Sequence, residues 1–496
     1  MIEARGRLDR VEPSIVAALA LTYFLLFSVL SVLRHLTYHS FGSDLGLFDQ
    51  VFWNTTQGRF FESTMSLAQP QPHSYIGDHF SPIYLLLLPV YALIPRPQTL
   101  VVIQTLFLAL GVWPIYLLAR HKLEPGWPRL VWVAAYFLFL PLAFINLFDF
   151  HELSLAVLPL GFAIYFLELR RPWWFVLSLA STFFIKEELP LVGMAFGAYL
   201  LLGKRDLKLG LAVLAGSLAA FLALIRVIIP ALGGGSYAYF ASRLAFRYAE
   251  LGSSPQDIMA TAVRHPGRIA HLLFQAQKLK FLAGIFGPVL GLSLISGFAV
   301  VLVIPTLALL LLSNYGPQSA FTSQYSAPLI PLVIGTSILG FARLRPSIQR
   351  PVAGAVLLSS LAFAYLFGDL PFSRHFQAAN FQTEPRYAAF VHNLDLIPPA
   401  ASVAAENNLT PHLSHRRYIY DIEFEGTQHA EYLALDFATF GHDPTRFEDQ
   451  ERTVESDGYQ EMRRVTAWRC SIVPESRLPH RNNFPPPLGE GRVGVL

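Results

Sequence analysis

RLVWVAAYFLFLPLAFINLFDFHELSLAVLPLGFAIYFLELRRPWWFVLSLASTFFIKEELPLVGMAFGAYLLLGKRDLK, residues 129–208, alternates long apolar runs with short ionisable corners. It consists of four apolar runs, 129–148, 153–169, 173–186 and 188–203, each close to the roughly 20 residues that a bilayer-crossing helix needs. The interruptions alternate in character. Asp149, His151 and Glu152 break the first pair of runs, Arg170 and Arg171 the second, Lys186, Glu187 and Glu188 the third, and Lys204, Arg205 and Lys208 close the series. A chain that turns back across a membrane at each interruption places the basic corners on one face and the acidic or mixed corners on the other.

The rest of the chain agrees with this reading. Of its 496 residues 53% are hydrophobic and only 14% charged, against about 25% charged in an ordinary soluble domain. A net charge of +3 gives no electrostatic basis for nucleic-acid binding. The 35 prolines fit membrane helices and their connections better than soluble helix interiors. A lone cysteine, Cys470, excludes an intramolecular disulfide and leaves the redox compartment unread.

Apolar runs at 14–33, 99–119, 208–230, 281–294, 297–313, 326–342 and 351–368 bring the expected total to about eleven spans. The N-terminal stretch carries Arg5, Arg7 and Arg10. The apolar run after it is long enough to span and lacks a small-residue cleavage site, which favours an uncleaved helix over a signal peptide. With the N-terminus in the cytoplasm, four basic clusters fall on the cytoplasmic side: Arg120, Lys122 and Arg129; Arg170 and Arg171; Lys204, Arg205 and Lys208; Arg343, Arg345 and Arg350. The agreement requires the short, proline-bearing segment 80–95 to lie in the outer interface and not to cross.

The expected fold is mainly α: a polytopic helical membrane protein with interfacial helices and a small C-terminal α/β soluble domain. Residues 1–13 form a cytoplasmic N-terminus and 14–374 the transmembrane domain with its outer loop 34–98. Residues 375–475 form the extracytoplasmic domain, and the proline- and glycine-rich 476–496 a disordered tail. In the soluble domain a helix is expected over 385–394 and a short one over 409–413. Strands are expected over 402–405, 417–420, 431–436 and 462–470.

Ionisable residues collect on the outer face. In the loop after the first span, Asp44 is placed to cap an interfacial helix and Asp49 lies one turn on. Either could instead face a cavity and take a proton from a substrate hydroxyl. His79, beside Asp78, is read as a local structural contact or a substrate contact. Asp149, His151 and Glu152 sit at a span boundary, where a solvated turn is one reading and a substrate site the other. They lack a tight metal-ligand spacing, so no metal site is assigned and no cofactor is required, a divalent ion being the less favoured alternative. Lys186 and Glu187 interrupt an otherwise apolar run, and intramembrane ionisable groups are functional candidates by default. Lys186 could neutralise a phosphate while a glutamate orients it. Arg243 and Arg247, in loop 231–280 with Arg264, Arg268, Lys278 and Lys280, depart from the positive-inside trend and could meet anionic headgroups or a lipid-linked phosphate.

FGSDLGLFDQVFW (41–53), GDHFSPIYLLLLPVYALIP (77–95), the segment through Gln104, FDFHE, KEE and SVAAENNLTPHLSHRRYIYDI (402–422) together resemble a family of bacterial polytopic membrane proteins defined as a domain of unknown function. In layout the family is similar to GT-C-type glycosyltransferases. That resemblance implies inverting transfer of a sugar from a polyprenyl-phosphate donor to a hydroxyl acceptor on the extracytoplasmic face. It implies Asp44 as the base, with Asp49 second, and Lys186 or the Arg243–Arg268 group as the stabiliser of the leaving phosphate. The expected partners are membrane lipids and a polyprenyl-phosphate-linked sugar, with no nucleic acid and an undetermined oligomeric state. The expected location is the inner (plasma) membrane. A transporter or lipid flippase, and a non-catalytic envelope assembly protein, are the competing functions; the absence of an evident internal repeat counts against a transporter.

Overall fold

The computed structural model describes residues 2–65, 71–232, 244–423, 430–436, 460–461 and 468–472. The tail 476–496 lies outside the described residues. The chain divides into two compact units. The first comprises Met1–Ser31, His79–Ile83 and Val101–Ala378; the second comprises Val32–Asp78, Tyr84–Leu100 and Ala379–Leu496.

The first unit is helical because its sequence is apolar over long stretches, and lipid offers no partner to an unsatisfied backbone. Helical segments at Arg10–Leu36, Pro97–Lys122, Trp127–Leu147, Leu207–Leu232, Gln324–Phe341 and Pro346–Phe367 are long and apolar enough to cross a membrane. The first helix starts well before the expected residue 14: it runs from Ile2 to Leu36 with Pro13 inside it. Other expected spans form shorter pieces. Run 153–169 becomes a 3-10 turn and the helix Val157–Glu168, and run 173–186 becomes Pro172–Thr182. At 1.5 Å per residue these helices are roughly 17 Å long, short of the ~30 Å hydrocarbon core. Segment 281–294 is not one span. The helix Ala276–Phe286 ends before Leu290 and Gly291, both with positive φ, and 3-10 turns follow. The hydropathy of that run hides its glycines. Gly287 packs so closely that a Cβ there would meet Phe363 Cζ at 2.3 Å.

Small residues set the helix contacts, as expected where dispersion and not water drives association. In GMAFG (193–197) a Cβ on Gly193 would sit 2.5 Å from Ser217 Oγ, and one on Gly197 2.7 Å from the Leu214 backbone nitrogen. This fixes Leu189–Tyr199 antiparallel to Leu207–Ala223. Asn146 adds polar glue by donating to Ser31 Oγ (3.1 Å) and Thr105 Oγ1 (3.0 Å). Buried Glu12 meets Arg129 at 3.3 Å, and Glu168 meets Lys122 (2.6 Å) and Lys204 (2.7 Å). Two of the basic loops thus neutralise acids of their own unit. Glu168 closes the helix that begins after Glu152, so the two carboxylates lie roughly 24 Å apart along its axis.

In the second unit Leu47–Thr56 buries Phe48, Val51 and Phe52, and a π-helical turn, Gly42–Gly46, precedes it. Asp44 lies within that turn and is not a cap: the N-cap position is Phe41, which makes no side-chain capping bond. β1 (Glu62–Ser63) and β2 (His73–Ser74) form an antiparallel hairpin. The segment expected to stay out of the membrane core contains Tyr84–Leu93, ten residues and too short to cross. The helix Pro385–Leu394 matches its expectation. β3 (Val403–Ala405), β4 (Ile419–Asp421), β5 (Tyr432–Asp436), β6 (Gln460–Glu461) and β7 (Trp468–Ile472) form one sheet in the order β4-β3-β5-β7-β6. β3 is parallel to β4 and β5, and β7 is antiparallel to β5. Residues 462–467 of the last expected strand lie outside the described residues, and 409–413 contains the 3-10 turn Thr410–His412.

Candidate functional site

In the first unit the segment His79–Ile83 lies along the turn that ends Pro172–Thr182. Ser81 Oγ donates to the Ile185 carbonyl (2.9 Å), and the Ile83 amide to that of Phe184 (2.9 Å). This brings together residues far apart in sequence. His79 Nδ1 is 2.7 Å from Glu187 Oε1, and Lys186 Nζ pairs with Glu152 Oε1. All four side chains are at least largely buried: Glu152 is 1% exposed and Lys186 12%. Burial alone would raise the Glu187 pKa, but His79 and Lys186 outweigh it and hold the carboxyl below its usual range.

Asp149 and His151 are positioned by Gln104, which the sequence reading quoted but did not single out. Gln104 Nε2 donates to the carbonyls of Ile145 (3.0 Å) and Asp149 (3.2 Å), and its Oε1 accepts from the His151 amide and Ser154 Oγ, both at 2.8 Å. One buried amide therefore fastens the whole FDFHE corner to the helix Pro97–Leu110. A buried glutamine in an apolar helix was the available signal. Among the described residues no group of three His, Cys, Asp or Glu side chains is arranged to hold a metal ion.

His79, Lys186, Glu187 and Glu188 line a cavity of about 720 Å³ in this unit. Leu191, Met194, Ala195 and Ala198 continue its wall along the helix Leu189–Tyr199, and Leu214, Phe221 and Ile225 face it from Leu207–Ala223 and its continuation. The antiparallel register set by Gly193 and Gly197 carries Arg226 toward the Lys186 end. Arg247 also lines the cavity, its guanidinium donating to Tyr325 Oη (3.1 Å) and lying over the rings of Tyr315 and Tyr325. Arg226 was not anticipated, because it sits within the run 208–230 read as one apolar span. Arg243 lies outside the described residues; Arg264 and Arg268 are exposed.

The second unit holds the two aspartates. Asp44 is half-buried, and with burial and Glu423 it contributes to pushing the Asp421 carboxyl up to about 7. Asp49 is fully buried and faces donors instead of an open cavity. Tyr91 Oη donates to its Oδ1 (2.6 Å), and Ser414 Oγ (2.6 Å) and His415 Nε2 (3.0 Å) reach its Oδ2. His415 and Ser414 went unremarked in the sequence except as part of HLSHRR, since their relation to Asp49 spans more than 360 positions.

A model of predicted membrane proteins, DUF2079, matches residues 34–472. The chain belongs to that family. A search of curated protein sequences returns no match. Among solved structures the chain is similar to ArnT from Cupriavidus metallidurans, determined bound to undecaprenyl phosphate. The TM-score is 0.55 at 12% identity, over 94% of this chain and 98% of that one. It also aligns with the Archaeoglobus fulgidus oligosaccharyltransferase tethered with an acceptor peptide, with TM-score 0.42 and 14% identity over 81% of this chain and 63% of that one. The DUF2079 chain has a GT-C-like, mostly helical membrane fold with small sheets, as the layout of its sequence implied.

Proposed function

We propose that the protein is a membrane glycosyltransferase that moves a sugar from a polyprenyl-phosphate donor to a hydroxyl acceptor. The observation that carries this reading is the cavity of the first unit. A long apolar wall suits a polyprenyl chain, and Lys186, Arg226 and Arg247 on the same lining suit a phosphate. The undecaprenyl phosphate bound by ArnT supports the same ligand class.

In this reading Lys186 stabilises the charge that develops on the phosphate oxygen as the sugar leaves, and Glu152 holds the ammonium in place. Donors fixed in a water-poor site need no reorganisation during reaction, and removing one such group typically costs about 10²–10³ in rate. His79 and Glu187 shape the polar end of the cavity, and Gln104 secures the Asp149–Glu152 corner. Asp44 retains the role of base that the resemblance implies. Orientation follows the basic loops: an inner-membrane protein with its N-terminus in the cytoplasm and its C-terminal domain outside.

The test is transfer from a polyprenyl-phosphate sugar by the protein in nanodiscs, with undecaprenyl phosphate binding measured in parallel. Lys186→Ala is expected to lose about 100-fold or more in transfer and to bind the lipid phosphate more weakly. Unchanged binding and transfer in that variant would remove Lys186 and the cavity from the mechanism.

A further inference from the structure

The second unit contains a polar surface cluster that the lipid-phosphate reading leaves unused. Asp49 can only accept hydrogen bonds when ionised, and its three neighbours are Tyr91 Oη, Ser414 Oγ and His415 Nε2. His415 Nε2 must therefore carry the proton, which makes Nδ1 the lone-pair nitrogen of the neutral ring. No hydrogen-bond partner of Nδ1 is found among the described residues. The His415 side chain is 39% exposed, whereas the Asp49 side chain is fully buried. A buried carboxylate thus fixes the tautomer of an imidazole whose basic nitrogen is left for something else.

The surroundings indicate what that is. Half-buried Trp53 lies with its ring 14° from parallel to His415, at 5.8 Å between centroids. The Arg59 guanidinium sits 5.1 Å from the Trp53 ring centre, anchored by its Nε to Asn54 Oδ1 (2.8 Å). Glu62 meets both Arg59 (3.9 Å) and Arg417 (2.8 Å). Glu62 thus serves both arginines, and buried Asp49 adds a second carboxylate to the cluster. An anion would find no net attraction here. A neutral ligand with both apolar faces and hydroxyl groups would find an indole to pack on, arginine donors and an imidazole acceptor.

We propose that Trp53, Arg59 and the Asp49-oriented His415 form a binding site for a neutral saccharide, with a sugar hydroxyl donating to His415 Nδ1. The site stands on the second unit alone and does not depend on the lipid-phosphate reading.

Saturation-transfer NMR on the full chain in nanodiscs, free of sugar-based detergent, tests it. The probes are the methyl pyranosides of glucose, galactose, mannose and xylose. At least one is expected to bind wild type, about tenfold more weakly to His415→Gln, in line with loss of one good hydrogen bond, and not detectably to Trp53→Ala. His415 is partly exposed, so its variant keeps the fold, which circular dichroism verifies. Lys186→Ala is expected to bind the glycoside as wild type does, separating this site from the lipid-phosphate cavity. No binding by any probe, equal binding by His415→Gln, or displacement of the glycoside by millimolar inorganic phosphate overturns the proposal.

Discussion

Two buried acids, Glu152 and Asp49, are satisfied in opposite ways. Glu152 is held by a full charge, the Lys186 ammonium, in a unit whose sequence is otherwise apolar. Asp49 is held by two hydroxyls and an imidazole, in a unit with a mixed sheet and solvent-facing polar groups. The difference follows from what each surrounding can supply. Between apolar helices an isolated carboxylate is too costly unless a cation accompanies it. In the second unit several weaker donors share the task, and one of them, His415, still reaches the surface.

The comparison can be broken most directly at the ion pair. Glu152→Gln leaves the Lys186 charge without its nearest counter-ion, and loss of one member of a buried pair costs about 3–5 kcal/mol. Thermal unfolding in nanodiscs should show a large fall in Tm for Glu152→Gln and substantial recovery in the double variant Glu152→Gln/Lys186→Met. Equal behaviour of the single and double variants would show that the two side chains are not coupled. Asp49→Ala should cost less, about 1–3 kcal/mol, as the Tyr91 hydroxyl loses its acceptor. The sharper readout is the His415 imidazole, whose NMR chemical shifts should change in Asp49→Ala and stay unchanged in Glu152→Gln.

The second unit also carries a pH effect. The Asp421 carboxyl is pushed up to about 7, first by burial and then by the charges of Glu423 and Asp44. A carboxyl whose folded pKa lies above its unfolded value stabilises the fold while protonated. Its contribution is full below about 3.9 and is lost as pH rises toward 7. The slope it adds is at most about 1.4 kcal/mol per pH unit. Asp421→Asn should flatten the dependence of Tm on pH between 4 and 7; an unchanged profile would show that another group sets it.

Much of the helical architecture was legible because it rests on composition and period. Apolar length predicted the long helices, and the placement of the basic loops kept the segment containing Tyr84–Leu93 from being counted as a crossing. The span at 281–294 misled because hydropathy is blind to Gly287, Pro288 and Gly291, which redirect the backbone without becoming polar. The corners at 149–152 and 186–188 announced themselves as charges in apolar surroundings. Their partners did not: nothing local joins His79 to Glu187, Lys186 to Glu152 or Gln104 to the His151 amide.

The sequence by itself therefore determined that this is a multi-pass membrane protein of mainly helical fold, where its polar corners lie, and that a small α/β region follows the last apolar run. These properties depend on residue type and on short-range periodicity, which a linear reading preserves. Tertiary structure decided that Lys186 is paired with Glu152, that the helix Leu189–Tyr199 walls a cavity, and that Asp49 orients His415. Those contacts are set by close approach at glycines such as Gly193 and Gly197 and by side chains 34 positions apart, for Lys186 and Glu152, or more than 300, for Asp49 and His415. Their free energy exists only once the chain has closed those distances.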